Sequence, residues 1–365
     1  MSDEGRSPQS LRAMSDDWIR TAIGNWAPRF TANGVDPNDL EVLRARITRW
    51  ADWCKEWSAV AEVHEALGDE ALAAGRTVTG GRALARAAVY YQFAQFCFSE
   101  FPDQKDAAQA RKVACHRRAL PHLVPRGERL EVPYEGVTLP GNLRRPAGAG
   151  RPPLVLVLPG LESTKEEFAR FEEDFLARGM ATFTFDGPGQ GEVWPRMKMR
   201  HDHEGAVAAV LDALSPRTDV DAARVGTAGV SMGGYFAMRT AGFERRIRAA
   251  VDLAGPYDLT FWEKSSPLMR RNFMHAFGAE TVEQARERVG RVTLAGVASR
   301  IRCPILVVHG RLDTIVPPEH AERIAAEAGG EKRLAMYEDG NHVCNNIPYK
   351  YRPLVADWLR EKLGA

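Results

Sequence analysis

The sharpest chemical signature in the chain is Gly229-Val230-Ser231-Met232-Gly233, followed by Gly234. It follows a short apolar run, residues 224–228, and precedes residues 235–238, which read as a helix. A serine set between a buried strand and a helix is the sequence of a nucleophile elbow. The turn is tight, so its flanking positions need residues without bulk. It lifts the serine above the sheet and presents its hydroxyl to the N-terminus of the next helix. A merely structural turn is the weaker reading, because both flanking elements are those the elbow requires.

A serine hydroxyl needs a base to take its proton. With an elbow of this kind the base comes last in the chain, after an acid. Asp339-Gly340-Asn341-His342 follows the last strand-like run, Arg333 to Tyr337, which makes His342 the candidate base. His309 is the rival, but it precedes the acid. His320 sits in a helical stretch and reads as exposed, and His201 and His203 read as a surface pair whose spacing makes no metal site. The candidate acid is Asp313, in the loop His309 to Pro317, where it would orient the imidazole and stabilise its charged form. As a cap for the helix near Pro318 it stands too early. Asp339 lies too close to His342 to be the expected partner.

The oxyanion formed on attack needs preorganised donors. The N–H of Met232, after the nucleophile, is one. The N–H of Leu161, in Pro159-Gly160-Leu161-Glu162-Ser163, is the other. Glu162 has two open readings: a helix N-terminal acid ahead of Lys165, or a group that positions a polar substrate or shares a proton with it. The glycine-rich stretch Asp186 to Glu192 lacks the lysine of a phosphate loop and reads as a strand-end turn. Asp252 and Asp258 flank Gly255-Pro256 and read as turn residues.

These residues need elements to hold them. The first third reads helical, with Leu43, Ile47, Trp50, Trp53, Cys54, Trp57 and Val60 forming one stripe across a helix from Leu40 to Leu67. Asp36-Pro37 ahead of it fits an N-cap followed by proline. Ala83 to Phe101 and Asp103 to Leu120 read as two more helices. Most of their aromatics read as core and a few as pocket wall. After Pro125 come a hairpin (Arg129 to Tyr134, Val137 to Arg144) and buried strands at Leu154 to Leu158, Ala181 to Phe185, Val225 to Gly229, Ala249 to Leu253, Ile305 to Val308 and Arg333 to Tyr337. Helices alternate with them at Lys165 to Arg178, Glu204 to Leu214, Gly233 to Ala241, Pro318 to Ala328 and Tyr349 to Leu363. The alternation predicts a mostly parallel sheet with helices on both faces. Tyr257 to Arg300 interrupts it with two or three short helices over the carboxyl edge of the sheet, where such folds bind ligands. The expected division is a helical cap (1–125), a catalytic α/β-hydrolase domain (126–256 and 301–365) and a helical lid insertion (257–300).

The 365 residues carry a formal charge of +1, and 44% are hydrophobic. That supplies a large core and gives no electrostatic reason to expect nucleic acid or an anionic membrane as partner. No run approaches the roughly 18 apolar residues of a membrane helix. The polar start MSDEGRSPQS lacks the features of a secretory signal, so a cytoplasmic location is expected. Cys54, Cys97, Cys115, Cys303 and Cys344 form no close pairs, which argues against disulfides and zinc. Cys344 lies near His342 and reads as packing.

Taken together, PGLESTKEE, FDGPGQGE, GVSMGGY, HGRLDTIVP and DGNHVCNN resemble the 2,6-dihydroxypseudooxynicotine hydrolase group and its fungal relatives that shorten polyketide chains. The resemblance is good from Leu154 to the C-terminus and looser over the N-terminal helices. It implies a triad of Ser231, Asp313 and His342, an assisting role for Glu162, no cofactor, and a homodimer. It also implies hydrolysis of a carbon–carbon bond next to a ketone, or of an ester, in a small molecule. A carboxylesterase or thioesterase would carry the same triad. A binding protein without catalysis is disfavoured because all three triad positions stand in order.

Overall fold

A computed structural model of the protein describes residues 16–148 and 150–365. The reading of the first ten residues as leader-free lies outside the described residues. The strands are β1 (Gly127–Tyr134), β2 (Val137–Arg144), β3 (Pro153–Leu158), β4 (Ala181–Phe185), β5 (Asp221–Val230), β6 (Ile247–Leu253), β7 (Ile305–Gly310) and β8 (Lys332–Tyr337). They form one sheet in the order β1-β2-β4-β3-β5-β6-β7-β8. β1 and β2 are antiparallel to their neighbours, and the rest is parallel. The β1–β2 hairpin turns on Glu135 and Gly136, both at positive φ (42° and 79°), the geometry of a two-residue loop that matches strand twist.

The apolar runs explain the layers. In β3, Leu154, Leu156 and Leu158 face one side, and Val155 and Val157 the other, as the two-residue period of a strand requires. The first face is covered by α7 (Glu204–Leu214), α8 (Met232–Phe243) and α11 (Glu319–Glu327). The second is covered by α6 (Ala169–Leu176) and α12 (Pro348–Leu363). This is the α/β-hydrolase fold. The insertion after β6 carries α9 (Pro267–Ala276) and α10 (Val282–Val289).

The N-terminal helices are α1 (Asp16–Ala32), α2 (Pro37–Arg46), α3 (Trp53–Ala73), α4 (Thr77–Gln95) and α5 (Pro102–Ala119). They share a core of their own, built on Phe30, Trp50, Trp53, Trp57, Phe93 and Phe98. Asp36 caps α2 by accepting from Asn38 N, with Pro37 at the first helical position. The expected single helix from Leu40 to Leu67 is two. The chain leaves helical geometry at Ile47 and Arg49 and re-enters through a short turn at Trp50–Asp52. The apolar stripe runs across the break because Ile47 and Trp50 are buried in the same core. The helix expected to reach Phe101 stops at Gln95. Trp53 Nε1 takes Phe93 O (2.7 Å), and Lys105 Nζ takes Gln95 O (3.0 Å), carbonyls that a longer helix would use itself. The helix α1 has no counterpart in the sequence reading, because Pro28 sits inside it.

Two histidine readings are corrected. His203 is buried at 1% exposure, its ring stacked on Phe236 with centroids 3.9 Å apart. Burial among aromatics holds it neutral, its pKa pushed down to about 3. His320 is half-buried, and its Nδ1 accepts from Tyr257 N at 3.1 Å.

Candidate active site

The carboxyl ends of β3, β5, β7 and β8 each deliver one part of the site. After β5, Ser231 adopts φ 56°, ψ −122°, a backbone conformation that costs free energy in a residue with a Cβ. The surroundings enforce it. A Cβ at Gly229 would lie 1.9 Å from Gly233 O, and one at Gly233 would lie 2.0 Å from Leu158 O. Only glycine lets strand, helix and the neighbouring turn meet this closely.

His342 stands in the loop after β8. Its Nε2 lies 3.0 Å from Ser231 Oγ, and its Nδ1 lies 2.7 Å from Asp313 Oδ2. The other carboxylate oxygen of Asp313 accepts from Ile315 N (2.8 Å) and Val316 N (2.9 Å), which fixes its plane. Burial opposes the Asp313 charge, but His342 and His309 beside it hold its carboxyl well below the usual range. His309, the sequence rival, stands behind Asp313. Its Nε2 lies 3.0 Å from Val316 O and 3.2 Å from Asp313 Oδ2, out of the line to the serine. Asp252, at the end of β6, is fully buried. Its Oδ1 accepts from Gly255 N at 2.6 Å, and burial pushes its pKa up to about 7. Asp339 pairs with Lys350 and takes no part.

The turn after β3 passes over the elbow: a Cβ on Gly160 would lie 3.0 Å from Val230 O and 3.3 Å from the Ser231 Cβ. This sets Leu161 next to Ser231. Met232 opens α8, so its N–H has no acceptor within the helix. Glu162 lines the same cleft as Ser231 and His342. Burial raises its carboxyl pKa, with Arg29 pulling the other way and the Cys97 thiol against it. Its Oε1 is buried without a partner among the described residues.

The cleft lies between the sheet edge and α1. Trp26, Arg29 and Asn33 line it, as does Phe96 from the segment after α4. Of the aromatics read as core or pocket wall, Phe96 is the one in the wall. Arg29 grips Glu167 with two hydrogen bonds of 2.8 Å and reaches Ser163 Oγ at 3.0 Å. It also lies over the Phe96 ring, 4.6 Å from the centroid. Sequence reasoning missed the α1 residues because it had no helix there. Beside the cleft, Glu166, Asp186 and Glu192 come close enough to hold a metal ion. The Lys165 ammonium stands among them, at 2.6 Å from Glu166, 2.8 Å from Asp186 and 2.6 Å from Glu192. A cation would have to displace it. No helix among the described residues is long and apolar enough to cross a membrane.

Residues 167–365 match the prolyl oligopeptidase family. The chain is 35% identical over 343 residues to the 2,6-dihydropseudooxynicotine hydrolase of Paenarthrobacter nicotinovorans, covering 93% of this chain and 92% of that protein. It is 30% identical to the 20-hydroxy-prefusarin hydrolase FUS2 of Gibberella moniliformis, over 70% of this chain and 72% of that one. The crystal structure of the 2,6-dihydroxy-pseudo-oxynicotine hydrolase superposes with a TM-score of 0.86 at 34% identity, covering 92% of this chain and 95% of that one. Wild-type AbyA5 superposes at 0.75 with 22% identity over 96% and 95%, a likeness of fold. The chain therefore belongs to the serine α/β-hydrolases of the prolyl oligopeptidase family, in the branch of the 2,6-dihydropseudooxynicotine hydrolase, and is a hydrolase.

Proposed function

We propose that the protein hydrolyses a carbon–carbon bond next to a ketone in an aromatic or polyketide-derived small molecule, with Ser231, His342 and Asp313 as the catalytic triad. Ser231 Oγ attacks the carbonyl carbon while His342 Nε2 takes its proton, and Asp313 stabilises the imidazolium. The N–H groups of Met232 and Leu161 receive the oxyanion. Collapse of the tetrahedral adduct breaks the carbon–carbon bond and expels the enolate, whose carbon takes the proton held by His342, either directly or relayed through Glu162, which His342 then reprotonates. Water, deprotonated by His342, then releases the acid and restores Ser231. Direct attack by a His342-activated water gives the same products.

The observation that carries this reading is the bridge made by His342, 3.0 Å from the serine and 2.7 Å from the carboxylate. The buried Glu162 carboxyl in the same cleft supports the choice of a carbon leaving group, which needs a proton, over an ester alone. Residues 1–125 would act as the cap and 257–300 as the lid that shape specificity. The five unpaired thiols fit a reducing, cytoplasmic setting, and the family resemblance implies a homodimer.

Product analysis with a vinylogous β-diketone and with simple acyl esters tests the reading. Diketone cleavage that disappears in Ser231→Ala is the expected result. Cleavage of esters alone would make the protein a carboxylesterase or thioesterase.

A further inference from the structure

Behind the turn that carries Leu161 and Glu162 lies a second cavity, closed by α5, the segment after α4 and α9. Among the described residues, four of its lining side chains present a buried polar atom with no hydrogen-bond partner of nitrogen or oxygen: Ser99 Oγ, Gln109 Nε2, Glu162 Oε1 and Asn272 Nδ2, with the Cys97 thiol beside the last two. The Gln109 amide is oriented, because its Oε1 accepts from Lys112 Nζ at 2.7 Å and leaves the N–H groups facing inward. Asn272 is 3% exposed, so its amide has no recourse to bulk water. Lys105, also in the wall, donates to Gln95 O at 3.0 Å. A fold does not leave four such atoms from separate elements bare without cost, since each unmet group forfeits about 1–3 kcal/mol. They need an occupant.

The donor and acceptor pattern selects its chemistry. Two amide groups donate, and a carboxyl oxygen accepts. A carboxylate ligand would face Glu162, and an ammonium would face Lys105 and the amides. A hydroxyl satisfies both sides, giving its proton to Glu162 and its lone pairs to Asn272 and Gln109. Glu162, Leu161 and Ser163 line this cavity and the cleft of Ser231 alike, so the two spaces share a wall one turn thick. We propose that this cavity is a subsite for a hydroxyl-bearing arm of the substrate, held by Asn272, Gln109 and Glu162 while the carbonyl lies on Ser231. The proposal rests on Ser231 as nucleophile.

The test uses 4-nitrophenyl esters of straight-chain alkanoic acids, six to ten carbons long, and their ω-hydroxy counterparts. At one chain length the hydroxylated ester should show a kcat/KM about tenfold above its plain counterpart, the upper end of what one hydrogen bond between uncharged groups contributes. In Asn272→Leu and, independently, Gln109→Leu, that ratio should fall toward one while turnover of the plain ester holds. These residues lie on different helices, so a folding defect in one leaves the other to decide. A ratio near one at every length, or a preference that survives both substitutions, overturns the subsite: the cavity then holds water only. Hydrolysis of none of the esters overturns the subsite alone; absence of Ser231 labelling by a fluorophosphonate probe overturns the nucleophile reading, and the subsite with it.

Discussion

His309 and His342 share one carboxylate oxygen. The Nδ1 of His342 lies 2.7 Å from Asp313 Oδ2, and the Nε2 of His309 lies 3.2 Å from the same atom. Approached from both sides and tied by two backbone amides on its other oxygen, the Asp313 carboxylate has one orientation available.

His309 is therefore expected to act as a positioning residue. His309→Leu removes the second donor, and kcat toward a reporter ester should fall about tenfold, since a hydrogen bond to a charged group contributes roughly 1.5–3 kcal/mol. KM should hardly move. The fraction of sites titratable at Ser231 should stay constant, and His309→Gln should recover part of the rate. An unchanged kcat would remove His309 from the mechanism.

Glu162 should separate two kinds of leaving group. Glu162→Gln keeps the shape and removes the proton, so cleavage of a carbon–carbon bond should slow by about 10²-fold or more. A 4-nitrophenyl ester, whose leaving group needs no proton, should be spared. The fold should respond in the opposite sense. Burial raises the folded pKa of this acid, so its contribution to stability is present at low pH and lost as pH rises through that pKa. Urea titrations should find the glutamine variant more stable than the parent at alkaline pH, with the difference closing in acid. Equal losses for both substrates would assign Glu162 to packing.

Asp252 offers a cleaner pH reading. Its folded pKa of about 7 stands above the unfolded value of 3.8. The stability it contributes is full below pH 3.8 and disappears as pH rises through 7. Asp252→Asn should abolish that slope and leave the variant more stable above pH 7, by up to about 4 kcal/mol. Melting temperatures from pH 4 to 9 would show it, and parallel curves for the two proteins would refute it.

Lys165 is predicted to hold together the segments that follow β3 and β4, on which Lys112 of the helical block docks. The Lys165 side chain is 1% exposed and stands among Glu166, Asp186 and Glu192, while Lys112 of α5 lies 3.5 Å from Glu166 and donates to Thr164 Oγ1 at 2.8 Å. Lys165→Met strands buried carboxylates and should cost about 3–5 kcal/mol. Denaturant unfolding measures it. Retention of parental stability would mean that water or Lys112 takes over the charge.

What the sequence determined on its own was everything that repeats with a short period or depends on chain order. The β3 run, the glycines of the elbow and the exact span Glu204 to Leu214 follow from local sterics and burial, and serine, acid and histidine could be ranked by order alone. The tertiary structure decided what depends on neighbours distant in the chain. Carbonyls claimed by Trp53 and Lys105 ended α4, aromatics from two elements enclosed His203, and α1, hidden by Pro28, brought Arg29 to the cleft. His309 looked like a failed base because order says nothing of distance. Only the packing of β7 against β8 sets its ring and that of His342 on the same oxygen.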